Sequence, residues 1–412
     1  MKEKVAFVVI RYGQDMNGGA EQHCRMLAER LVSDYDVEVL TTCVKDYVKG
    51  TNELPEGEEW CGDVFVRRFP VAPIRPDLHK EYERAAKVSR RLRKYLYQLG
   101  LLKFIASIYP VWTYNAETEH KYMQSHPLYS PALVSYIQCY KEEYKAIIPI
   151  TMVYPPVYYA SLYATERVIL IPTMHYEGST FRSIQTDVFT KVAYVGFNTT
   201  AEQKLAKKIF GYRMSTHGII SVGIENSVDA DWRTTQIKYN LPEEYLLFVG
   251  RIDKGKLDHI IQYYLDYKKR YSDSKLKLVL VGGLFSEPCT HPDIYYTGFV
   301  SEAEKYSIIQ HAKVFVNPSK FESLSLILLE GMSRGKAMLV NGKCAVLKEH
   351  CIKSGGAAFY YKGKRDFISK LHHIEDSDEL RTAMGRKGKE YVAENYDWEM
   401  IMNRLKKVIE SI

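Results

Sequence analysis

The segment LLFVGRIDKGKLDHIIQYYLDYKKR (residues 246–270) decides the fold. A short apolar run ends in glycine, a polar turn follows, and the apolar residues then recur at the spacing of an amphipathic helix. The segment VAFVVIRYGQDMNGGAEQHCRMLAERL (residues 5–31) repeats this order in the first half of the chain. Each segment therefore predicts a strand, a glycine-bearing turn and a helix, the unit that opens a doubly wound sheet and binds ligands at the carboxyl end of the strand.

Short β-branched runs alternate with longer amphipathic runs along the whole chain. This alternation predicts an α/β protein with mostly parallel sheets. The predicted strands of the first half cover residues 5–10, 37–42, 64–69, 146–151, 168–173, 192–197 and 218–223. Those of the second half cover residues 245–250, 276–283, 313–318, 336–341 and 357–361.

A chain of 412 residues is too long for one ordinary core, so two domains are expected. We predict an N-terminal Rossmann-like domain over 1–224, with an insertion at 75–145, and a C-terminal Rossmann-like domain over 225–395. We predict that the closing helix, 396–412, packs back on the N-terminal domain. Two such domains facing each other would form a cleft, a common place for small-molecule sites.

The composition is that of an ordinary globular protein, with 46% hydrophobic and 26% charged residues. The seven cysteines are scattered without a C-x-x-C pair, which indicates free thiols in a reducing compartment. The first residues hold too few apolar positions for a signal peptide, and no apolar run reaches the roughly 20 residues that span a bilayer. We expect a cytoplasmic protein, peripheral on the inner face of the cell membrane.

The basic residues are concentrated in one segment of the predicted insertion. Between Arg84 and Lys103 seven residues are Lys or Arg and none is acidic, which accounts for the net charge of +7. The segment reads as one basic amphipathic helix, with Leu92, Tyr95 and Leu99 on one side. It predicts docking on an anionic membrane surface, to which each basic residue contributes about 1 kcal/mol. A solvated helix packed on its own domain is the alternative, and a nucleic-acid face is disfavoured because no nucleic-acid-binding module is visible.

FESLSLILLEGMSRG (residues 321–335) carries a glutamate on each side of an apolar run. A helix is expected to begin near Leu326, capped by Ser323 or Ser325, with Glu322 in the preceding loop and Glu330 inside the helix, facing the cleft. The first amides of such a helix suit a phosphate, whereas a carboxylate accepts hydrogen bonds from sugar hydroxyls. The pattern therefore suggests a ligand with both groups. A core helix with two surface acids is the simpler alternative.

Two basic residues follow the first strand of the second half. Arg251 and Lys256 place fixed positive charge at a strand end, which suits a diphosphate, although either could instead pair with Asp253. Gly18 and Gly19 leave room for a ligand beside the backbone of the first half. Their spacing is not G-x-G-x-x-G, so a nicotinamide site is not indicated.

Taken in order, the motifs GGAEQH, PTMHYEG, FVGRIDKGK, YYTGFVS and NPSKFESLSLILLEGMSRGKAMLV resemble those of the retaining GT-B glycosyltransferases of the family-4 type, also known as glycosyl transferases group 1. YDWEMIMNRL is similar to the start of their last helix. The resemblance covers nearly the whole chain outside the insertion. Some positions depart from the family pattern, including Ser325, where glycine is common, and Lys336, where proline is usual.

The resemblance implies a role for each matching position. Arg251 and Lys256 would grip the donor diphosphate, Glu322 would bind hydroxyls of the transferred sugar, and Glu330 would take the ribose hydroxyls. His175 would lie near the anomeric carbon or the acceptor, and Gly18 and Gly19 would line the cleft. The remaining positions would contribute mainly backbone: Gly298, Phe299 and Val300 beside the nucleobase, and Leu324, Ser325, Leu326 and Ile327 around sugar or phosphate.

The implied function is transfer of a hexose from a nucleotide-diphosphate sugar, GDP-mannose or a UDP-hexose, to a glycan acceptor. The resemblance implies retention of configuration, with neither a metal nor a resident cofactor. The basic segment suggests a lipid-linked acceptor in bacterial polysaccharide, lipopolysaccharide or capsule assembly, and no nucleic-acid partner is expected. A GT-B-fold sugar-nucleotide epimerase and an inactive membrane-associated partner are the alternatives. A zinc-deaminase site at His175 is not indicated, because the P-C-x-x-C part of that signature is absent.

Overall fold

The computed structural model describes residues 2–14, 16, 18–47, 49–108, 115–225 and 228–412. Residues 109–114 of the predicted insertion and 226–227 at the predicted domain boundary lie outside these ranges. Contacts divide the chain into two compact units. The N-terminal unit is Met1–Val222 together with Glu399–Ile412, and the C-terminal unit is Gly223–Trp398.

The N-terminal unit is built on a largely parallel sheet. Its strands are β1 (Lys4–Val8), β2 (Asp36–Thr42), β3 (Gly57–Cys61), β4 (Val64–Phe69), β5 (Ala146–Pro149), β6 (Ile169–Leu170), β7 (Tyr194–Phe197) and β8 (His217–Ile219). Their order is β3-β4-β2-β1-β5 and β6-β7-β8, and single bridges such as Ile147 to Val168 join the two groups. Among the described pairings between named strands of this unit, β3–β4 alone is antiparallel.

Helices cover the strands of this unit. They are α1 (Gly19–Leu31), α2 (Pro76–Gln98), α3 (Leu102–Ile108), α4 (Ala116–Gln124), α5 (Pro131–Tyr140), α6 (Pro155–Tyr163), α7 (Gln185–Lys191) and α8 (Thr200–Phe210). A large apolar cluster combines residues of β1 and β5 with residues of α5, α6 and α8. The sheet is therefore buried, as expected for parallel strands.

The C-terminal unit contains a six-stranded parallel sheet of order β11-β10-β9-β12-β13-β14. Its strands are β9 (Tyr245–Val249), β10 (Lys277–Val281), β11 (Ile294–Gly298), β12 (Val314–Asn317), β13 (Met338–Asn341) and β14 (Ala358–Tyr361). The helices are α9 (Trp232–Tyr239), α10 (Lys254–Leu257), α11 (Ile260–Arg270), α12 (Glu302–His311), α13 (Leu326–Ser333), α14 (Ala345–Lys353), α15 (Lys364–Asp376) and α16 (Asp378–Asn395). This strand order is that of a dinucleotide-binding Rossmann fold.

The last helix, α17 (Trp398–Glu410), belongs to the N-terminal unit from Glu399 onward. Its Lys406 ammonium lies 2.6 Å from the Asp34 carboxylate. The carbonyl oxygen of Ile412 accepts a hydrogen bond from the side chain of Lys145 at 2.8 Å. Both contacts join the end of the chain to the N-terminal unit.

The predicted basic helix is wrong in two respects. It is two helices, α2 and α3, separated at Gly100, whose φ of +73° is a left-handed conformation that ends α2. Arg93 does not face solvent, because its side chain is fully buried near Glu119, and burial lowers the pKa of Arg93 to about 10. The exposed part of α2 carries Val88, Leu92 and Tyr95 together with Arg84 and Arg91.

Candidate active site

The candidate active site of the C-terminal unit lies where the strand order reverses. β9 pairs with β12, although the two strands are far apart in sequence. The turn after β9 carries Arg251 and Lys256, and the turn after β12 carries Lys320 and Glu322. Because both strands are parallel and adjacent, their carboxyl ends bring the two turns together at the place where doubly wound sheets bind ligands.

Two of the predicted ligand residues, Lys256 and Glu322, form an ion pair. The Lys256 Nζ lies 2.8 Å from the Glu322 Oε1, with the lysine side chain 36% and the glutamate side chain 15% exposed. Lys256 belongs to the short helix α10, whose first amides donate to Asp253 Oδ1. These hydrogen bonds fix the backbone at Lys256, and its ammonium contacts Glu322 on the turn after β12.

A second ion pair, which the sequence did not predict, joins the same two turns. The Lys320 ammonium lies 2.6 Å from Asp258 Oδ1, and the Asp258 carboxylate is largely buried. Asp258 ends α10 with a φ of +49°, a positive value that residues other than glycine seldom adopt. Asp258 stands in the opening segment 246–270 and Lys320 in the NPSKFES motif, but only the pairing of β9 with β12 shows that they meet.

Arg251 shows the pairing that the sequence left open as an alternative. Its guanidinium contacts the Asp253 carboxylate, and the arginine side chain is 44% exposed. Burial would raise the pKa of Asp253, but hydrogen bonds from the Lys256 amide and the charge of Arg251 hold it below the ordinary value. Arg251 therefore remains accessible to an anion while its orientation is set by a neighbouring acid.

The helix that follows Glu322 begins at Leu326 with Ser325 at its N-cap position, as predicted, but the Ser325 side chain does not cap it. Ser325 occupies the N-cap position with φ +73° and ψ +69° and makes no capping hydrogen bond. Its hydroxyl instead accepts a hydrogen bond from Asn317 Nδ2 at 2.9 Å. The left-handed backbone at Ser325 explains why glycine would be suited to this position. The first amides of α13, around Leu326 and Ile327, lie directly beyond it.

Glu330 is more enclosed than a carboxylate facing a cleft would be. Its side chain is buried in α13, and its carboxylate lies 3.1 Å from the Lys305 ammonium and 3.3 Å from the Tyr306 hydroxyl, both on α12. Burial would lower the pKa of Lys305, but the charge of Glu330 raises it above the ordinary value. Lys305 and Tyr306 were missed because helix periodicity alone does not show which side chains of α12 meet α13. A ribose contact by Glu330 stays a prediction.

The predicted nucleobase segment closes β11. Gly298 has a φ of +71°, and a side chain added there would meet open space. Its carbonyl oxygen accepts the Gly282 amide at 2.9 Å, and the Phe299 ring that follows is largely exposed beside Gly283. Val300 is half-buried. The backbone of this segment is therefore open on one side, as a backbone contact with a base requires.

In the N-terminal unit the predicted glycines lie at the start of α1. A side chain on Gly18 would come within 2.1 Å of Glu21 Oε2, whereas one on Gly19 would meet open space. Glu21 in turn pairs with Arg11, whose Nε donates to Glu21 Oε1 at 2.9 Å. Gly18 is therefore required by the buried Arg11–Glu21 pair, while Gly19 leaves the beginning of α1 open.

His175 lies in a segment of the N-terminal unit that contacts α2. Its Nε2 is 3.2 Å from Glu177 Oε2, and the histidine side chain is 30% exposed. Burial would raise the pKa of Glu177, but the hydrogen bonds from His175 and Ser179 bring it below the ordinary value. The neighbouring Tyr176 lies under the Lys94 ammonium, 4.8 Å from the ring centre. α2 is thus part of the surroundings of His175, which the sequence did not indicate.

Among the residues that the structure describes, no helix combines the length and hydrophobicity needed to cross a membrane. Across the same ranges, no group of three or more His, Cys, Asp or Glu side chains is arranged to hold a metal ion.

Comparison with known proteins gives a family match within the C-terminal unit. Residues 233–391 match the model of the family described as Glycosyl transferases group 1. The matched range contains the Lys256–Glu322 pair and the α13 amides. These are the segments that the resemblance assigned to the donor.

Two uncharacterized glycosyltransferases of Methanocaldococcus jannaschii are similar in sequence. One is 25% identical over 179 residues, 40% of this chain, and the match spans 45% of that relative. The other is 23% identical over 419 residues, which covers 97% of this chain and 95% of the relative. The first similarity thus spans less than half of the relative's length, and the second spans both chains almost completely.

Three solved structures share the architecture. Sucrose-phosphate synthase of Thermosynechococcus elongatus has a TM-score of 0.68 at 15% identity, over 100% of this chain and 99% of that one. Anabaena HepE in complex with UDP and glucose has a TM-score of 0.65 at 14% identity, over 100% of both chains. WaaG, a glycosyltransferase involved in lipopolysaccharide biosynthesis, has a TM-score of 0.59 at 12% identity, over 98% of this chain and 99% of that one.

At these identities the structural likeness establishes the fold alone. The predicted fold class, GT-B with two Rossmann-like units, is confirmed. The matched domain, the two relatives and the fold together support a glycosyltransferase.

Proposed function

We propose that this protein is a retaining glycosyltransferase that moves a hexose from a nucleotide-diphosphate sugar to a lipid-linked glycan acceptor. The observation that carries the proposal is the Lys256–Glu322 pair at the reversal point of the C-terminal sheet. It places a cation for phosphate and a carboxylate for sugar hydroxyls side by side. UDP and glucose bound to Anabaena HepE, a structural neighbour, support a nucleotide-sugar donor.

Donor binding would exchange the partners of Lys256. The pair is only partly buried, with the lysine side chain 36% and the glutamate side chain 15% exposed, so separating it costs less free energy than opening a fully buried pair. A diphosphate that takes Lys256 and Arg251 would leave the Glu322 carboxylate free to accept hydrogen bonds from the hydroxyls of the sugar. Lys256 and Glu322, which pair with each other without ligand, would therefore bind the diphosphate and the sugar of the donor, respectively.

In the proposed reaction the bond between the anomeric carbon and the diphosphate oxygen breaks, and the acceptor oxygen bonds to the same face of that carbon. The acceptor proton goes to a phosphate oxygen of the departing diphosphate. Arg251, Lys256 and the amides at the start of α13 stabilise the charge that develops on that group, so no metal ion is required in this proposal. His175 would lie on the acceptor side.

The test combines binding with turnover in two matched variants. UDP-, GDP- and dTDP-sugars are screened by thermal shift, since a ligand at 100 times its dissociation constant stabilises the folded state by about 2.7 kcal/mol. We expect Lys256→Met to weaken binding of the nucleotide sugar selected in that screen by about 10- to 100-fold, the effect of a lost charged hydrogen bond. Lys254→Met, an exposed lysine of the same short helix, is the control. Equal binding by both variants would contradict the proposal.

The proposal of a lipid-linked acceptor is based on the exposed surface of α2 and α3. Val88, Leu92, Tyr95 and Leu99 follow one another at helical spacing and are exposed, and Phe104 and Ile108 continue the exposed apolar surface on α3. Arg84 and Arg91 are exposed in the same segment. Apolar side chains flanked by cations suit the boundary between anionic headgroups and acyl chains. A lipid-linked acceptor would be held at that surface, in keeping with the proposed assembly of bacterial surface polysaccharide.

Vesicle flotation tests this part separately. Replacing Leu92 and Arg91 by Gln should reduce binding to anionic vesicles at low salt, while Lys207→Gln/Lys208→Gln on the exposed side of α8 should leave it unchanged. Arg93 is excluded from the design because its buried side chain would destabilise the fold if changed. Equal vesicle binding by the wild type and both variants would contradict the proposed membrane contact without affecting the proposed donor site.

A further inference from the structure

A buried histidine of the C-terminal unit supports the turn that precedes α13. His350 lies in α14 and is 1% exposed. Its Nε2 is 2.8 Å from the carbonyl oxygen of Leu324, and its Nδ1 is 3.0 Å from the Tyr391 hydroxyl. The Tyr391 hydroxyl lies 3.3 Å from that of Tyr396. A chain of polar contacts therefore runs from α16 and its C-terminal end through α14 to the turn.

The partners of the ring determine its protonation. A carbonyl oxygen only accepts hydrogen bonds, so Nε2 of His350 must carry a proton and donate it to Leu324. In the neutral ring Nδ1 then accepts from the Tyr391 hydroxyl, which can accept in turn from Tyr396. Burial lowers the pKa of His350 to about 4, so the ring is neutral at physiological pH. Every polar atom of the ring is thereby used.

The turn that His350 contacts needs support. Ser325 follows Leu324 in the left-handed region, which costs a residue with a side chain roughly 1–2 kcal/mol. Asn317 donates to the Ser325 hydroxyl at 2.9 Å, and Asn341 donates to the Pro318 carbonyl oxygen at 2.8 Å. His350 adds a third hydrogen bond, and it acts on the residue directly before the strained one.

We propose that His350 is a positioning residue for the donor site: its Nε2–H holds the Leu324 carbonyl so that the amides of Ser325, Leu326 and Ile327 point at the donor. The inference rests on the proposed function and adds a residue outside the ligand contacts. Tyr391 assists by fixing the tautomer. His350 itself touches no substrate.

The central experiment compares His350→Leu with Cys351→Ala. Cys351 is the next residue of α14 and is also buried, so its truncation reports the cost of disturbing the helix without touching the turn. UDP and GDP are titrated separately by calorimetry into each protein. We expect His350→Leu to weaken binding of the nucleotide that the wild type prefers at least fivefold, and Cys351→Ala to stay within twofold. His350→Gln should recover part of the loss, because its amide can donate to Leu324. Equal affinities in His350→Leu and Cys351→Ala would overturn the proposal.

Two further measurements separate this inference from the proposed function. The ¹⁵N signals of His350 should show a neutral ring protonated at Nε2, and Tyr391→Phe should shift the Nδ1 signal. A cationic ring or the other tautomer would overturn the proposal. Amide hydrogen exchange across 324–327 should accelerate in His350→Leu without any ligand. If the wild type bound no nucleotide, the proposed function would be wrong. Unchanged amide exchange in His350→Leu would instead contradict the positioning role of His350.

Discussion

In both Rossmann-like units an arginine follows the first strand of the sheet, and the two arginines have opposite surroundings. Arg11 of the N-terminal unit is nearly buried, 10% exposed, and its guanidinium is 2.5 Å from the equally buried Glu21 carboxylate. It also donates to the carbonyl oxygen of Lys45 at 2.9 Å. Arg251 of the C-terminal unit is 44% exposed and pairs with the neighbouring Asp253 on the same turn.

The difference shows which strand end is built for an anion. Arg11 connects β1 to α1 and to the segment after β2, so its charge is used within the fold. At the other strand end Arg251 and Lys256 keep much of their surface exposed. A ligand can therefore take their charge without opening a buried pair, whose separation would cost several kcal/mol.

Breaking the buried pair should have the largest effect on stability. Arg11→Met leaves the Glu21 carboxylate buried without its cation, which is expected to cost about 3–5 kcal/mol. Arg251→Met should cost less than about 1 kcal/mol, because that pair is exposed. Urea unfolding of both variants measures the contrast.

The contrast also extends to ligand binding. Arg251→Met should weaken nucleotide-sugar binding, whereas an Arg11→Met/Glu21→Met double variant should regain stability and bind the nucleotide as the wild type does. A strongly destabilised Arg251→Met, or a stable Arg11→Met, would contradict the assignment of one arginine to the fold and the other to the ligand.

The N-terminal unit should also carry a pH dependence that comes from one buried carboxylate. Burial raises the pKa of Glu202 to about 8, although the amides of Asn198 and Met174 donate to it at 2.6 Å. A raised pKa means that the folded protein holds a proton that the unfolded chain has lost. Stability from this group is therefore present at acidic pH and falls as the pH rises from the ordinary glutamate value towards 8, by up to about 1.4 kcal/mol per pH unit.

Unfolding of Glu202→Gln between pH 5 and 8 checks this. The variant should have a flatter stability profile than the wild type, even if it is less stable throughout. Glu166→Gln, at an exposed position, should keep the wild-type slope. A Glu202→Gln slope that matches the wild type would show that the carboxylate does not hold a proton in this range.

The smallest expected effect concerns the strained serine of the C-terminal site. Ser325→Gly and Ser325→Ala both remove the hydroxyl that accepts from Asn317. They differ in backbone preference, because glycine adopts a positive φ without steric cost. We expect the glycine variant to be about 1 kcal/mol more stable than the alanine variant, measured by thermal unfolding. Equal stabilities would mean that the turn relaxes away from its left-handed conformation.

The sequence predicted most of the buried elements and missed those whose pattern is weak. β3 (Gly57–Cys61) was missed because it is an exposed antiparallel edge strand without an apolar run. β11 (Ile294–Gly298) was missed as a strand because it too lies at an edge and is only half-buried, although its last residue, Gly298, had been assigned to the ligand. The prediction of a single basic helix was wrong because the apolar residues keep helical spacing across Gly100, whereas the left-handed backbone at Gly100 ends the helix.

Among the site residues the sequence indicated chemistry and strand position, and the tertiary structure decided the partners. Lys256 and Glu322 were assigned to different parts of a ligand, but their mutual ion pair follows only from the pairing of β9 with β12. His350 was not among the predicted site residues, because a single buried histidine carries no periodic signal.

The sequence by itself determined the α/β class, the strand–turn–helix units and the cations and carboxylates at their ends, since these depend on residues close together along the chain. Only the tertiary structure decided that Arg11 is buried against Glu21, that Arg93 is enclosed beside Glu119, and that His350 reaches Leu324. Burial and pairing depend on which elements pack together. They therefore depend on contacts between residues that the chain order does not place side by side.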